Sequence, residues 1–433
     1  MNNELDNLLI SWSQPGADDR LLDLHWRMKR GASFADGTQE REAVREICKK
    51  VWEGDRFLAE YTEKFDGVRL SPEQFRVGEK ELTQAHKEID KKLLKSIRQA
   101  IENVRKYQND IFVGKSNHPG IKYTPIEKVG ICVPGASAPL PSTVIMTVVP
   151  AQVAGVEYIS VVSPPRCKGS IHPVILAVCH ELGLEEVYRI GGAQAVAALA
   201  HGTKTVKKVD KIVGPGNRWV QTAKLEVFGY VGIDSIAGPS EVLIIADANA
   251  NAGWVAADML SQAEHAPGSA IVFTTSETLA NKIIEELRKQ LKLLKRGKET
   301  RECLLNLSGI VVFSNIESLI ERANSFAPEH LEIQCGDASR EIAARIHNTG
   351  AIFIGEYSPV AVGDYWAGPS HTLPTGQTAR FFSALSANDF IKSTSIIEYS
   401  AEELAASAED IIRLAEVEGL DAHARSVRIR QED

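Results

Sequence analysis

The chain has 433 residues, enough for two or more domains and a large core. Its hydrophobic content of 44% and charged content of 24% are ordinary for a soluble globular protein. A net charge of −8, with both signs interspersed and no long basic run, argues against a nucleic-acid binder or a membrane-surface binder.

Residues 1 to about 30 form a polar start with one apolar cluster, Leu21, Leu22, Leu24 and Trp26, which reads as an arm or short helix packed on the body. The opening Met1-Asn2-Asn3-Glu4-Leu5-Asp6 lacks a basic stretch and an apolar core, so no secretory signal and a cytoplasmic setting are expected. The six cysteines, Cys48, Cys132, Cys167, Cys179, Cys303 and Cys335, include no CxxC pair. Scattered thiols in a chain this long are expected to be reduced and mostly buried as small apolar groups.

Residues 38–112 read as helical. Between Lys87 and Phe112, the residues Ile89, Leu93, Ile97, Ile101 and Val104 recur at spacings of four and three, an apolar stripe that belongs to the core. The most apolar window, Val144 to Val162, is broken by Pro150, Gln152 and Glu157. It reads as a buried helix followed by a strand, and no membrane span is expected.

From Ile131 short strands alternate with helices. Strands are predicted at Ile131–Val133, Tyr158–Val162, Val187–Ile190 and Lys211–Val213, and again at Val242–Ala246, Ala270–Thr274, Gly309–Phe313 and Ala351–Ile354. Helices are predicted from Ser142, over His172–Leu182, after Gly191-Gly192 and after Gly214-Pro215-Gly216-Asn217. This is the pattern of parallel sheets with crossover helices, an α/β fold, and two sheets suit the strand count better than one. The expected hinge lies near Ile236 to Glu241, where Ala-Gly-Pro-Ser interrupts the alternation.

Three of the strand-to-helix loops carry glycine: Pro134-Gly135-Ala136, Gly191-Gly192-Ala193-Gln194 and Gly214-Pro215-Gly216-Asn217. Such turns let backbone N–H groups approach a pyrophosphate at a helix N-terminus, although none completes G-x-G-x-x-G. Gln194 and Asn217 read as occupying the same helix-start position in consecutive units, where their amides suit a nucleotide or, alternatively, cap their helices.

Asn251 to Ser261 reads as a helix that Pro267 and Gly268 end. Gln262 and His265 then fall in its last turn. Three residues turn roughly 300° and rise about 4.5 Å, so both side chains share a face and can converge on one metal ion. The plain alternative is a solvated helix end, with His265 offsetting the partial negative charge there. Further on, Pro328 stops a helix that starts at Glu317, which leaves Glu329 and His330 on a short connector before a strand Glu332–Gln334. His330 is a candidate base at neutral pH, and Glu329 can position water or a proton; a satisfied surface pair is the alternative. The loop from Gly363 to Gly376 is dense in turn formers and holds Asp364, a candidate metal carboxylate, and His371, a candidate substrate contact. From about Asp389 the chain reads as helical, with an amphipathic Ala401–Val417 closed by Gly419 and a tail through His423.

Taken together these stretches resemble the histidinol dehydrogenase family over nearly the whole chain. The matching segments are Val133-Pro134-Gly135, Pro141-Ser142-Thr143, Gly191 to Gln194, Val209 to Asn217, Ala237 to Glu241, Ser261 to His265, Pro328 to Leu331, Gly363-Asp364-Tyr365, His371 to Thr375, and Glu418 to His423. The resemblance implies two Rossmann-like (incomplete) parallel-sheet domains, a helical N-terminal arm, a helical C-terminal tail and a domain-swapped homodimer. The implied boundaries are an arm over 1–27, a first α/β domain from 28–130 with 241–385, a second, NAD-side domain over 131–240, and a helical tail over 386–433.

It also implies a chemistry: oxidation of L-histidinol through the aldehyde to L-histidine with two NAD, the last step of histidine biosynthesis. Gln262, His265, Asp364 and His423 are then ligands to one zinc per subunit. His330 takes the hydroxyl proton and Glu329 activates water. Ser240, Gln262, His265, His330, Asp364, His371, Glu418 and His423 hold substrate, with Glu418 and His423 supplied by the partner's tail. Cys132, Gln194 and Asn217 contact NAD. The chain departs from the family pattern at Cys132, where a Tyr is usual, and at Ala136, Leu140 and Ser370. The alternative function is a zinc- and NAD-dependent dehydrogenase of the same fold acting on a different small polar alcohol.

Overall fold

The computed structural model describes residues 4–32, 38–135, 139–265 and 267–432. Among them the strands in chain order are β1 (Leu9–Ser11), β2 (Ile121–Pro125), β3 (Lys128–Cys132), β4 (Tyr158–Val162), β5 (Glu186–Tyr188), β6 (Lys211–Val213), β7 (Gly232–Ile233), β8 (Ser240–Ala246), β9 (Gly268–Thr274), β10 (Gly309–Val312), β11 (His330–Gln334), β12 (Ala351–Ile354) and β13 (Ile391–Ser395). Two larger sheets result, in the orders β1-β10-β9-β8-β11-β12 and β5-β4-β3-β6-β7. Neighbouring strands in both run parallel. Strands covered on both faces need no polar alternation, and β8 is Val-Leu-Ile-Ile-Ala after its first two residues.

Both sheets are wound alike. The chain lays down β3, β4 and β5 outward from the centre, then returns to add β6 and β7 on the other side; it repeats this with β8, β9, β10 and then β11, β12. Each reversal leaves a switch point, between β3 and β6 and between β8 and β11, where no crossover covers the sheet end. β1 extends the outer edge of β10. Neither β1 nor β7 was expected from the sequence, because three and two residues are too few to display a period.

The chain divides into two compact units. The first, Met1–Val113 with Pro125–Ile391, holds both sheets. One face of the five-stranded sheet packs on Ile97, Ile101 and Val104, together with the helix Pro141–Ala154. The other face packs on Val44, Ile47 and Leu58 of the helices Thr38–Trp52 and Asp55–Asp66. These N-terminal helices thus complete the core of the five-stranded sheet, whereas the sequence boundaries grouped residues 28–130 with the six-stranded one. The six-stranded sheet is covered on one side with the help of Leu5 and Leu8, and on the other by Ile10, Leu21 and Leu24. The apolar stripe from Ile89 to Val104 is not one helix. The chain breaks at Ile89, and Asp90 caps a new helix, Lys91–Ile111, by accepting from the Leu93 N–H at 2.8 Å. Leu93, in its first turn, is 40% exposed.

The second unit, Gly114–Thr124 with Lys392–Asp433, contains the two-stranded sheet of β2 and β13 and the helices Ala401–Val417 and Asp421–Arg428. Ser400 and Glu403 form a reciprocal capping box at the start of the first helix. Gly419, at φ +71°, turns the chain into the second in a conformation that favours glycine. Among the described residues no helix is long and apolar enough to cross a membrane.

Candidate active site

The carboxyl ends of β3 to β6 surround a cavity of about 470 Å³, within the range of small-molecule sites. All three glycine loops reach it: Pro134 and Gly135, Gly191 to Gln194, and Pro215 to Asn217 line its wall. Ala136 lies outside the described residues. The cavity sits at the β3/β6 switch point, where the topology places a ligand crevice.

Gly214 shows why the sequence needs glycine here. Its φ is +107°, and a Cβ would stand 2.4 Å from the Cys132 carbonyl oxygen. Its loop is pinned from below: the buried Lys224 ammonium donates to the Gly214 carbonyl at 3.2 Å and pairs with Asp234, which accepts from the Gly214 N–H at 2.7 Å. Nothing in the sequence signalled this pair, because Lys224 occupies an otherwise ordinary amphipathic helix, Arg218–Val227.

Gln194 and Asn217 both line the cavity, but not from equivalent positions. Asn217 is the cap residue of its helix, with Oδ1 accepting from the Val220 N–H at 3.2 Å. Gln194 is the third residue inside its helix, Gly192–His201, and its Nε2 donates to Asp66 at 3.4 Å. Asp66 and Arg166 also line the cavity and pair at 3.0 Å. Cys132 is 5% exposed in the cavity wall, and burial pushes its thiol up to about 12, so it is not a thiolate.

A second cluster lies at the opposite end of the other sheet, at the amino ends of β8 and β11. Glu329 directly precedes β11, and His330 is the first residue of that strand, not part of a connector. The helix before them, Ile316–Phe326, ends at Ala327 in the left-handed conformation. Both side chains are buried, at 5% and 3% exposure. Glu329 Oε2 accepts from the Ser240 hydroxyl at 2.7 Å and from the Glu241 N–H at 2.8 Å. His330 Nδ1 is 3.0 Å from the Glu241 carbonyl oxygen and 3.4 Å from Glu329 Oε2. A carbonyl oxygen only accepts, so Nδ1 carries the proton. In the neutral ring Nε2 is then the basic nitrogen.

Burial lowers the His330 imidazole, but the charges of Glu329 and Asp364 and the Glu241 carbonyl outweigh it and hold the ring at about 9. Glu241 was not singled out from the sequence, yet it braces the cluster. Its Oε1 accepts from the Glu329 N–H at 3.2 Å and from the Gly376 N–H at 3.1 Å. Burial, and after it the charge of Glu329, push the Glu241 carboxyl up to about 8.

His330, Phe353, Asp364 and His371 line a cavity of about 200 Å³. Asp364 and His371 approach to 3.9 Å. Burial keeps His371 below the usual imidazole range despite that carboxylate, so this ring is neutral. Asp364 sits in the short helix Val360–Tyr365, which packs close because Gly363 has no side chain: a Cβ there would lie 2.7 Å from the Phe353 ring. His371 Nε2 is 3.4 Å from the hydroxyl of Thr143. Thr143 belongs to the helix Pro141–Ala154, which follows the first glycine loop, so the two clusters meet across this one helix.

Gln262 is in the last turn of the helix Ala252–Ala263, but His265 lies just beyond it. The helical curl persists past the end, with the His265 N–H bonded to the Gln262 carbonyl at 3.3 Å. Gln262 is 1% exposed and its Nε2 is buried without a hydrogen-bond partner among the described residues, whereas His265 is exposed. Burial, and after it the charges of Asp364 and Glu264, raise the Tyr365 hydroxyl. Among the described residues no three His, Cys, Asp or Glu side chains already converge as a metal cluster. In the second unit, Glu418 and His423 are both exposed.

A family model described as histidinol dehydrogenase matches residues 31–431. The chain is 49% identical over 407 residues to a protein named histidinol dehydrogenase from Rhodopirellula baltica, covering 92% of this chain and 88% of that one. It is 45% identical over 420 residues to the protein of that name from Geobacillus kaustophilus, covering 94% and 98%. Among solved structures, the crystal structure of histidinol dehydrogenase from Elizabethkingia anophelis superposes with a TM-score of 0.87 at 36% identity, covering 92% of this chain and 93% of that one.

Proposed function

The chain belongs to the histidinol dehydrogenase family and is an NAD-dependent oxidoreductase, and from that premise we propose how its residues oxidise L-histidinol through L-histidinaldehyde to L-histidine. The observation that carries the proposal is the Glu329–His330 pair, two buried titratable side chains held by Ser240 and Glu241 beside a small cavity.

NAD, bound in the glycine-loop cavity, supplies the hydride acceptor for both oxidations. The N-termini of the helices Gly192–His201 and Arg218–Val227 face that cavity and suit its pyrophosphate. The amides of Gln194 and Asn217 suit its hydroxyls, and Cys132, in the cavity wall, would pack against it. His330 Nε2 takes the hydroxyl proton as hydride leaves the substrate carbon. Glu329 then removes a proton from water, which adds to the aldehyde carbonyl and gives a second alcohol for the same base to serve. Ser240 and Glu241 bind the same oxygen of Glu329, which leaves Oε1 for that water. His371, neutral and next to Asp364, accepts or donates a hydrogen bond to the substrate.

The donor set fits a divalent cation. Gln262 presents a buried amide with an unpartnered atom, and its O and N ends can exchange by a flip. Asp364 adds a carboxylate and His265 an imidazole, a mixture that zinc accepts. Gln262 and His265 stand at a helix C-terminus, whose partial charge favours a cation. Gln262, His265, Asp364 and His423 of the partner subunit would hold zinc, which when bound grips the imidazole and amine of histidinol and sets its carbon in place. Leu414 and Val417, beside Glu418, are 67% and 83% exposed and suit such a homodimer with exchanged tails. In this reading residues 131–240 serve NAD, residues 241–385 serve the metal and the chemistry, and the enzyme works in the cytoplasm.

The test is stoichiometry. Zinc-loaded protein with L-histidinol and excess NAD should yield two NADH per histidinol, with histidine as product. One NADH would remove the role given to Glu329. No turnover with zinc bound would move the substrate to another small polar alcohol. For the tail, inactive His423→Ala and Asp364→Ala proteins, mixed through unfolding and reassembly, should regain about a quarter of the sites, because only the mixed dimer restores one intact set.

A further inference from the structure

Asp258 and Glu332 have no part in the reaction above, yet they join the elements that carry it. Glu332 lies mid-strand in β11, 1% exposed, on the same face as His330 and Gln334 because strand side chains alternate. Its carboxyl meets that of Asp258, on the helix Ala252–Ala263, at the side-chain amide of Gln334. Gln334 Nε2 donates to Asp258 Oδ2 at 2.8 Å and to Glu332 Oε2 at 3.2 Å. The Val360 N–H donates to Glu332 Oε1 at 2.9 Å. Two buried carboxyls gathered on one amide group disfavour double ionisation. Burial, and after it the charge of Asp258, push Glu332 well above the carboxylate range, so Glu332 is the neutral member of the pair.

Each partner of this network sits a short, fixed distance along the chain from a site residue. Gln262 follows Asp258 by one helical turn, about 6 Å. His330 precedes Glu332 by two strand residues, about 7 Å on the same face. Asp364 follows Val360 by one turn of its own helix. We propose that the Asp258–Glu332 pair is a positioning clamp that sets the spacing of Gln262, His330 and Asp364, and so the geometry of the cation site. The inference rests on the site reading given under Proposed function. Apolar residues would join the same three elements at lower desolvation cost, but without the directional bonds that fix their register.

The test measures zinc affinity by competition with a chromophoric chelator, alongside kcat, the KM values for histidinol and NAD, and the thermal unfolding midpoint. Glu332→Met and Asp258→Ala should weaken zinc about tenfold or more and lower kcat, as the loss of an outer support does, while leaving the KM for NAD unchanged. Glu332→Gln still accepts from Val360 and can donate to Asp258, giving up only the bond from Gln334, so it should restore most of the zinc affinity. If Glu332→Met fails to fold, Asp258→Ala, at a half-buried position, carries the test. Gln262→Ala serves as the control for the site itself. The clamp is refuted if Gln262→Ala weakens zinc while Asp258→Ala and Glu332→Met bind it like the parent, even with lower unfolding midpoints. If Gln262→Ala leaves zinc affinity unchanged, the site reading is wrong and the clamp falls with it.

Discussion

The two parallel sheets share one winding order and use opposite ends. The five-stranded sheet gathers its candidate residues where strands lead into helices; the six-stranded sheet gathers them where helices lead back into strands. At the first kind of junction, helix N-termini and glycine turns present N–H groups and partial positive charge, which suits phosphate. At the second, helix C-termini present carbonyls and partial negative charge, which suits a cation, and strand starts can bring Ser240, Glu329 and His330 side by side through parallel pairing. Likeness of fold therefore does not place a site; the end of the sheet that carries the chemistry is read from its side chains.

Substitutions can separate the two ends. The largest effect is expected at the helix-to-strand end: His330→Ala removes the base and should lower kcat by about 10²–10⁴-fold while leaving the KM for NAD near its parent value. Loss of NAD binding instead would join the two ends functionally and break the comparison. Glu329→Gln should spare the first oxidation and slow the second, so that NADH formed per histidinol falls from two toward one, as product analysis would reveal.

At the other end, Gly214→Ala puts a methyl group against the Cys132 carbonyl in a left-handed backbone. The KM for NAD should rise roughly tenfold or more, equivalent to about 1.4 kcal/mol, with zinc affinity unchanged. The pH profile probes the first end again. His330 must be neutral to accept a proton and is held at about 9, so kcat/KM should climb about tenfold per pH unit below that value and then level. In Glu329→Gln the residual activity should rise at lower pH, because Glu329 is the strongest influence holding the ring up. The smallest effect is expected from Cys132→Ala, since the buried thiol stays protonated; turnover should be nearly unchanged, and a large loss would reopen a covalent route through this cysteine.

Much of this was legible in the residues. The alternation from Ile131 onward predicted both sheets, and the three glycine loops, read as turns able to approach a pyrophosphate, line one cavity. Glu329, His330, Asp364 and His371 were read as chemistry-bearing, and the first unit brings His330, Asp364 and His371 to one cavity. Positions relative to element ends were less legible. His330 begins a strand, His265 follows its helix, and Gln194 sits inside its helix where Asn217 caps its own, because boundaries turn on single hydrogen bonds that propensity does not resolve. Glu241, Lys224 with Asp234, and Asp258 with Glu332 gave no signal at all. A polar residue in an apolar strand or an amphipathic helix reads the same whether it faces water or a buried partner.

By itself the sequence determined the local periodicities, the turns that only glycine can make, and the residue types able to bind a nucleotide or a cation. Those follow from backbone sterics and side-chain chemistry, which act over a few neighbours. The tertiary structure decided which carboxyls meet at Gln334, which ring nitrogen of His330 is basic, and that Thr143, on the helix after the first glycine loop, touches His371. Burial and charge depend on groups brought together across tens to hundreds of residues, and no local pattern records that pairing.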